Sequence, residues 1–314
     1  YGFAETRLRD EVRQQMVDGG LMPLIKRRPF GVAPLAEDKP KGVFISCFDS
    51  APLGADMDYA LNGRGDDLRM GLRALLAATE CDIHLGLRPG QQLEQVLSRL
   101  AADAEMGSRV KLHLFKGAHP AGLVGTQIAA ISPINKGEVV WTVDLQNVAI
   151  LGNTFRTGEY RPERVVAFAG PCASSPRYYK VISGCNISSL YKEQCAEYKE
   201  ADVRLISGNV LSGTQLAYDG YLGFNDSLLS AIPEGDYYEF MGWLMPRFRT
   251  FSLSRTFLSG WMARCCCAKK CKCQPKYNFD TNLHGEWRPM VVTGSYEKVF
   301  PMKIYPMQLI KAAI

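Results

Sequence analysis

Gly42–Phe48 reads Gly-Val-Phe-Ile-Ser-Cys-Phe, a short apolar run that follows a Pro/Gly-rich loop ending at Lys41. A run this short, bounded by turn residues, predicts a buried strand. After a loop through Leu61–Gly65, Asp67–Thr79 (DLRMGLRALLAAT) carries apolar residues at helical spacing, with Asp66 placed as its expected N-cap. Cys81–Leu85 is the next expected strand, Leu93–Ala104 the next helix and Val110–Phe115 (VKLHLF) a third strand. Strands alternating with helices of this length predict right-handed βαβ units and a parallel sheet covered on both faces.

The same reading extends outward from this centre. Upstream, Glu5–Asp18 sets Val12, Met16 and Val17 on one side of a charged helix that Gly19–Gly20 ends. Basic Lys26, Arg27 and Arg28 follow. Downstream, Gly122–Ile131 and Leu145–Thr157 read as helical and Arg164–Ala169 as a returning strand. Beyond Gly170–Pro171 the pattern shortens. Tyr178–Ser183, Ile187–Tyr198, Val203–Ile206 and Tyr218–Leu222 together suggest a small β-grasp unit. From Pro233 the chain turns aromatic and Met-rich, with Tyr237, Tyr238, Phe240, Trp243, Met245, Phe248, Phe251, Phe257 and Trp261. Packing between domains is the expected use of that stripe. The expected class is therefore α/β. A Rossmann-like layered domain with a parallel sheet spans 1–172, a β-grasp unit 173–232, and an aromatic-rich connecting region 233–314. That last region leads into a C-terminal helical domain of which only Pro306–Ile314 is expected here, both ends reading as cut from something longer.

Net charge is +5, from 37 basic and 32 acidic residues, too little for the dense basic face of a nucleic-acid binder. No apolar run reaches the roughly 18–20 residues that span a bilayer, and the first residues do not read as a basic-then-apolar leader, so no secretory signal is expected. Of ten cysteines, five stand singly and five crowd into Cys265, Cys266, Cys267, Cys271 and Cys273. That is not the spaced framework of a secreted disulfide scaffold, and a reducing cytoplasm is expected. Consecutive cysteine side chains do not converge on one ion, and the interleaved Lys269, Lys270 and Lys272 suggest a solvated basic loop. A metal site is accordingly not expected.

Strand Gly42–Phe48 leads into Asp49-Ser50-Ala51-Pro52-Leu53-Gly54, without the G-x-G-x-x-G of a dinucleotide site. Asn62-Gly63-Arg64-Gly65 is followed by Asp66 and Asp67, whose carboxylates oppose a phosphate at that helix start. No G-x-S-x-G elbow and no His-Glu-x-x-His helix is present, so no catalytic residue is expected. His84 and His113 fall within strands. His119 lies in a Gly/Pro loop just after a strand's carboxyl end, where open parallel sheets bind ligands.

Several stretches in order identify a family. They are Lys26–Phe30 (KRRPF), Gly117–Gly125 (GAHPAGLVG), Arg164–Pro171 (RVVAFAGP), Arg204–Thr214 (RLISGNVLSGT), Phe240–Pro246 (FMGWLMP), Phe251–Leu258 (FSLSRTFL) and Gly294–Pro301 (GSYEKVFP). Together they resemble the A-subunit family of Na+-translocating NADH:quinone oxidoreductases over nearly the whole chain. The family's N-terminal biotinyl-carrier-like segment has no counterpart in this sequence. The unit at about Pro176–Tyr221 is similar to the ubiquitin-like SLBB module of that family.

The family is in turn similar in fold to the flavin-binding, NADH-oxidising subunit of respiratory complex I. Four loops depart from that subunit's flavin motifs. Leu21 and Met22 in Asp18-Gly19-Gly20-Leu21-Met22-Pro23 are bulky where small residues admit the flavin. Asp49-Ser50-Ala51-Pro52 has lost most of its carboxylates. Ala149 in Gln146-Asn147-Val148-Ala149-Ile150 stands for a glutamate, and Val124 takes an acidic position in His119–Thr126.

The resemblance implies a peripheral subunit that binds no cofactor of its own, FMN included. It also implies contact with the other subunits, especially the integral B subunit, at the cytoplasmic face of the bacterial inner membrane. The complex carries electrons from NADH to ubiquinone and transports sodium, and the isolated chain is expected to be inactive. The apolar, strand-edge loop of His119, Pro120, Ala121, Gly122, Leu123, Gly125 and Thr126 is the expected quinone-facing site. An FMN-dependent NADH-oxidising subunit of complex I or Rnf type, and a purely structural scaffold, are the rival readings.

Overall fold

Helix α1 (Gly2–Asp18) stops where the glycine pair predicts, with the Gly19 amide donating to the Gln15 carbonyl at 2.9 Å. Its buried Arg13 donates to the carbonyl of Ala78 at 2.7 Å and lies 5.4 Å over the ring of Trp141, fastening the helix to the sheet beneath. That sheet contains β1 (Ile25–Arg28), β2 (Val43–Ser46), β3 (Ile83–Leu87), β4 (Val110–Leu114) and β5 (Val140–Val143), in the order β1-β5-β2-β3-β4. Strands β5, β2, β3 and β4 run parallel, as the alternation predicts, and β1 adds an antiparallel edge with Ile25 opposite Val143. The chain is seen here as a computed structural model that describes residues 2–35, 37–103, 106–251, 257–261, 277, 279–284 and 289–314. The cysteine cluster Cys265–Cys273 lies outside the described residues.

Helices α2 (Met57–Ala60), α3 (Gly65–Ala78), α4 (Gln92–Ala101), α5 (Val124–Ile131) and α6 (Leu145–Thr157) link and cover these strands. On α3, Leu68, Leu72 and Leu75 are fully buried, each contributing about 2 kcal/mol of hydrophobic stabilisation. The expected N-cap is corrected: Arg64 occupies that position without a capping bond, because the helix already begins at Gly65. Asp66 and Asp67 sit in its first turn, and the Asp67 carboxylate instead pairs with Arg64 at 3.2 Å and Arg156 at 3.0 Å. Helix α6 has the expected bounds. Asp144 caps it by accepting from the Gln146 amide at 2.9 Å, and Gly158, at φ 76°, closes it in the left-handed conformation.

Where α3 and α6 cross, their backbones touch. A Cβ on Gly71 would stand 2.1 Å from the Val148 carbonyl oxygen, and one on Gly152 1.8 Å from that of Asp67. Only glycine fits either position.

A second sheet, ordered β7-β6-β10-β8-β9, is built from β6 (Glu163–Ala169), β7 (Arg177–Ile182), β8 (Val203–Ser207), β9 (Thr214–Leu216) and β10 (Leu228–Pro233). Its first and last strands, β6 and β10, pair in parallel at the centre, flanked by antiparallel neighbours, which is the β-grasp arrangement. Helix α7 (Ser188–Gln194) packs Leu190 and Tyr191 with Val166, Phe168, Leu205 and Leu229.

Strand Glu163–Ala169, which the sequence places in the first layer, belongs to this second sheet. Its run of apolar residues suits a central strand of either sheet, and only its partners decide between them. Tyr218–Leu222, expected as a strand, contributes only an isolated bridge at Tyr221, and Thr214–Leu216 pairs with β8 instead.

The aromatic segment is partly packed. Phe257 is buried and Phe251, Tyr277 and Phe279 cluster with ring centroids 5.4–5.9 Å apart. Tyr238 and Phe240, however, are 86% and 78% exposed. The last helix, α8, spans Pro306–Ala313. Among the described residues no helix is long and apolar enough to cross a membrane.

Candidate functional site

The parallel strands are laid down outward from β2 through β3 to β4, after which the chain returns to place β5 on the other side of β2. Strand order therefore reverses between β2 and β5. At such a point the loops leaving the two carboxyl ends diverge and open a crevice. A cavity of about 220 Å³ lies there.

Its walls come from both halves of the molecule. The end of β2 supplies Ser46, Phe48 and Asp49, while the edge strand β1 supplies Lys26 and Arg28. Thr142, Val143, Asp144 and Asn147 come from β5 and the start of α6, and Asn225 and Ser227 from the loop before β10 in the second sheet. Gly122, Leu123 and Val124 enter from the loop that opens α5. Phe48 is held from behind by Arg88, whose guanidinium lies 4.9 Å over its ring.

The expected quinone-facing loop is fastened to the end of β2. The Gly122 amide donates to Ser50 Oγ at 2.8 Å, and Ser50 Oγ lies 3.1 Å from His119 Nδ1. Ser46 Oγ donates to the Gly122 carbonyl at 2.8 Å, and Gln127 Nε2 donates to Ser46 Oγ at 3.0 Å and the Ala121 carbonyl at 3.2 Å. Gly122 and Leu123 reach the cavity. His119, Pro120, Ala121, Gly125 and Thr126 stand outside its lining. The His119 ring meets Ser50, whose oxygen also receives the Gly122 amide, so the pair holds the loop in shape.

Behind the cavity a polar network joins the two sheets. Arg164 on β6, 1% exposed, donates through Nη2 to Asn147 Oδ1 at 2.9 Å and through Nη1 to the Phe224 carbonyl at 2.8 Å. Burial pulls its guanidinium pKa down, and the nearby Asp144 carboxylate, 3.6 Å away, works in the opposite direction. Asn147 Nδ2 donates to the Leu24 carbonyl at 2.9 Å and to Asn225 Oδ1 at 2.7 Å. Gln146 meets the backbone of Val165 twice, accepting its amide at 2.8 Å and donating to its carbonyl at 2.9 Å. These residues place the loop at Asn225 against the first sheet and so complete the cavity.

The four loops that depart from flavin motifs fall in two places. Leu21, Met22 and Ala149 are buried in the main core beside Met16 and Leu24, and Val124 faces the cavity where the resemblance places an acid. Among the described residues no group of three or more His, Cys, Asp or Glu is placed to hold a metal ion. His84 and His113 meet at 3.0 Å, Nδ1 to Nε2, with His84 stacked on Phe44 at 4.7 Å. Burial, and for His84 also the charge of His113, lowers the pKa of this half-buried pair.

Sequence reasoning missed Lys26 and Arg28 as site residues, because three consecutive basic residues do not read as a strand. It missed Asn225 and Ser227 because a loop's partner lies far along the chain. The available signal was the stretch KRRPF itself.

Comparison with known proteins gives a consistent picture. The family model described as NqrA second alpha/beta domain matches residues 8–160, and that described as NQRA C-terminal domain matches 165–217. The A subunit of the Na(+)-translocating NADH-quinone reductase of Hahella chejuensis is 35% identical over 98% of the chain, and its counterpart from Neisseria meningitidis serogroup A is 33% identical over 97%. The chain spans 64% of the length of each of these relatives. Among solved structures, an NAD+-reducing NiFe hydrogenase in the H2-reduced state superposes with a TM-score of 0.53 at 15% identity, over 71% of this chain and 47% of the other. That likeness concerns the fold.

Proposed function

The chain belongs to the NqrA family, the A subunits of Na+-translocating NADH-quinone reductase, and on that premise we propose that the full-length protein is a peripheral, non-flavin subunit of such a complex. It docks on the membrane subunits, the integral B subunit in particular, at the cytoplasmic face of the bacterial inner membrane. It is associated with ubiquinone through the loop His119–Thr126, and the complex couples NADH oxidation to sodium transport. The observation that carries this reading is 35% identity to the Hahella chejuensis relative, sustained over 98% of the chain.

Two features of the molecule support it. Leu21 and Met22 are buried side chains at the loop where the flavin-binding fold relative carries small residues, which supports a subunit that leaves flavin chemistry to others. The exposed aromatics Tyr238 and Phe240 suit a surface that another protein covers.

The test is genetic and enzymatic. A bacterium that lacks its own A subunit but carries the full-length protein regains Na+-stimulated ubiquinone reduction by NADH in its membranes. Membranes that contain the protein yet stay inactive count against the assignment. The purified full-length protein is expected to lack the visible absorbance of flavin, and a stoichiometric bound flavin returns the chain to the NADH-oxidising alternative.

A further inference from the structure

The cavity between β2 and β5 carries two basic side chains that no carboxylate among the described residues pairs with. In a strand, alternate side chains share a face, so Lys26 and Arg28 lie together on one side of β1 and Ile25 and Arg27 on the other. On the other side Ile25 is fully buried and Arg27 has a carboxylate to neutralise it, that of Asp38 at 3.2 Å. On the cavity side, among the described residues, neither Lys26 nor Arg28 has a carboxylate within 4 Å. Arg28 Nε, like Arg27 Nε, is shut off from solvent without a hydrogen-bond partner, but unlike Arg27 it has no carboxylate beside it among the described residues.

Two like charges two residues apart on one strand face repel, and a buried charged donor without an acceptor is costly. An anion in the cavity relieves both.

The acidic residues in the lining do not fill that role. The Asp144 carboxylate caps α6 and lies 3.6 Å from Arg164, and the Asp49 carboxylate accepts the Ala51 amide at 2.8 Å. The remaining walls add donors. The amide of Val124 belongs to the first turn of α5, whose helix dipole favours negative charge at that end. Ser227 brings a hydroxyl with no side-chain hydrogen bond among the described residues. Apolar groups of Leu24, Phe48 and Val143 complete the lining. At about 220 Å³ the space is smaller than the usual pocket for a drug-sized molecule.

We propose that this cavity binds a small organic anion, its carboxylate or phosphate group held between Lys26 and Arg28 and its apolar body against Phe48, Leu24 and Val143. The ligand is charged, unlike a quinone, and the proposal rests on the cavity alone. Failure to restore quinone reductase activity would leave it standing.

Isothermal titration of the full-length protein at fixed ionic strength tests it, with inorganic phosphate, benzoate and uncharged benzamide as probes. Saturable binding of phosphate or benzoate, with benzamide at least about tenfold weaker, is expected from the charge-assisted bonds. Tighter phosphate than benzoate assigns the phosphate chemistry, and the reverse assigns a carboxylate on an apolar body. The double substitution Lys26→Gln, Arg28→Gln weakens the anion about tenfold or more, whereas Lys180→Gln, far off on β7, leaves it unchanged. Asp49→Asn keeps the acceptor for Ala51, removes a charge from the lining and tightens anion binding. No saturable anion binding, or equal binding by the double variant, overturns the proposal. Should the double variant fail to fold, Asp49→Asn decides, and an affinity that does not rise overturns it.

Discussion

Helix α6 makes two contacts of opposite kind. Toward α3 it makes close backbone approaches, Gly152 against the Asp67 carbonyl and the Val148 carbonyl against Gly71. Toward the second sheet it presents Gln146 and Asn147, whose amides bond Val165, Arg164, Leu24 and Asn225. The first contact is set by the missing side chains of Gly71 and Gly152, where no added atom fits. The second is set by direction: each amide has one orientation that satisfies its partners. Close packing builds a rigid first layer, and directed hydrogen bonds then place the second sheet so that Asn225 and Ser227 close the cavity. Shape holds one side of the helix; polarity positions the other.

The largest effect expected from this contrast is at Gly152. Gly152→Val forces the two backbones apart and costs about 3 kcal/mol or more of unfolding free energy, read from urea denaturation of the full-length protein. A loss below about 1 kcal/mol would show that the crossing yields, and the contrast with the polar face would collapse.

Next comes Asn147→Ala, which strips the buried Arg164 guanidinium of an acceptor and the Leu24 carbonyl of a donor. A cost of about 2 kcal/mol is expected, together with weaker anion binding as the Asn225 loop loosens. If stability falls but binding does not, the polar face holds the sheets together without shaping the cavity.

The smallest effect lies outside both contacts, at His84 and His113. Their folded pKa values lie below the ordinary histidine value, mainly through burial. The unfolded chain therefore binds protons first as pH falls, so stability from the neutral pair is present above about pH 6.5 and is lost on acidification below it. His113→Gln is expected to flatten the difference in stability between about pH 7.5 and about pH 5.5. An unchanged slope assigns the acid sensitivity to other groups.

How much was legible in advance follows from the range of the forces involved. Helix α6 is expected at Leu145–Thr157 and is found there, since apolar spacing, an aspartate cap and a closing glycine all act within a few residues. Strands β2, β3 and β4 and the end of α1 are legible for the same reason. Strands β1, β5 and β10 are not. Lys26-Arg27-Arg28 looks like solvated loop until β5 is known to lie beside it, and β5 and β10 are short runs that local pattern leaves ambiguous. Of the expected site loop, Gly122 and Leu123 reach the cavity, while the His119 ring meets Ser50.

By itself the sequence determined the βαβ alternation, the bounds of its strongest helices, the family resemblance and the bulky residues at the flavin loops. These are local properties, written in side-chain period and residue size. The tertiary structure alone decided that Glu163–Ala169 joins the second sheet, that Gly71 and Gly152 face one another, and that Lys26 and Arg28 share one wall with Asn225 and Ser227. Each of those pairs residues far apart in the chain. Their meeting is fixed by which sheet edges and helix faces bury one another, and no local pattern encodes that choice.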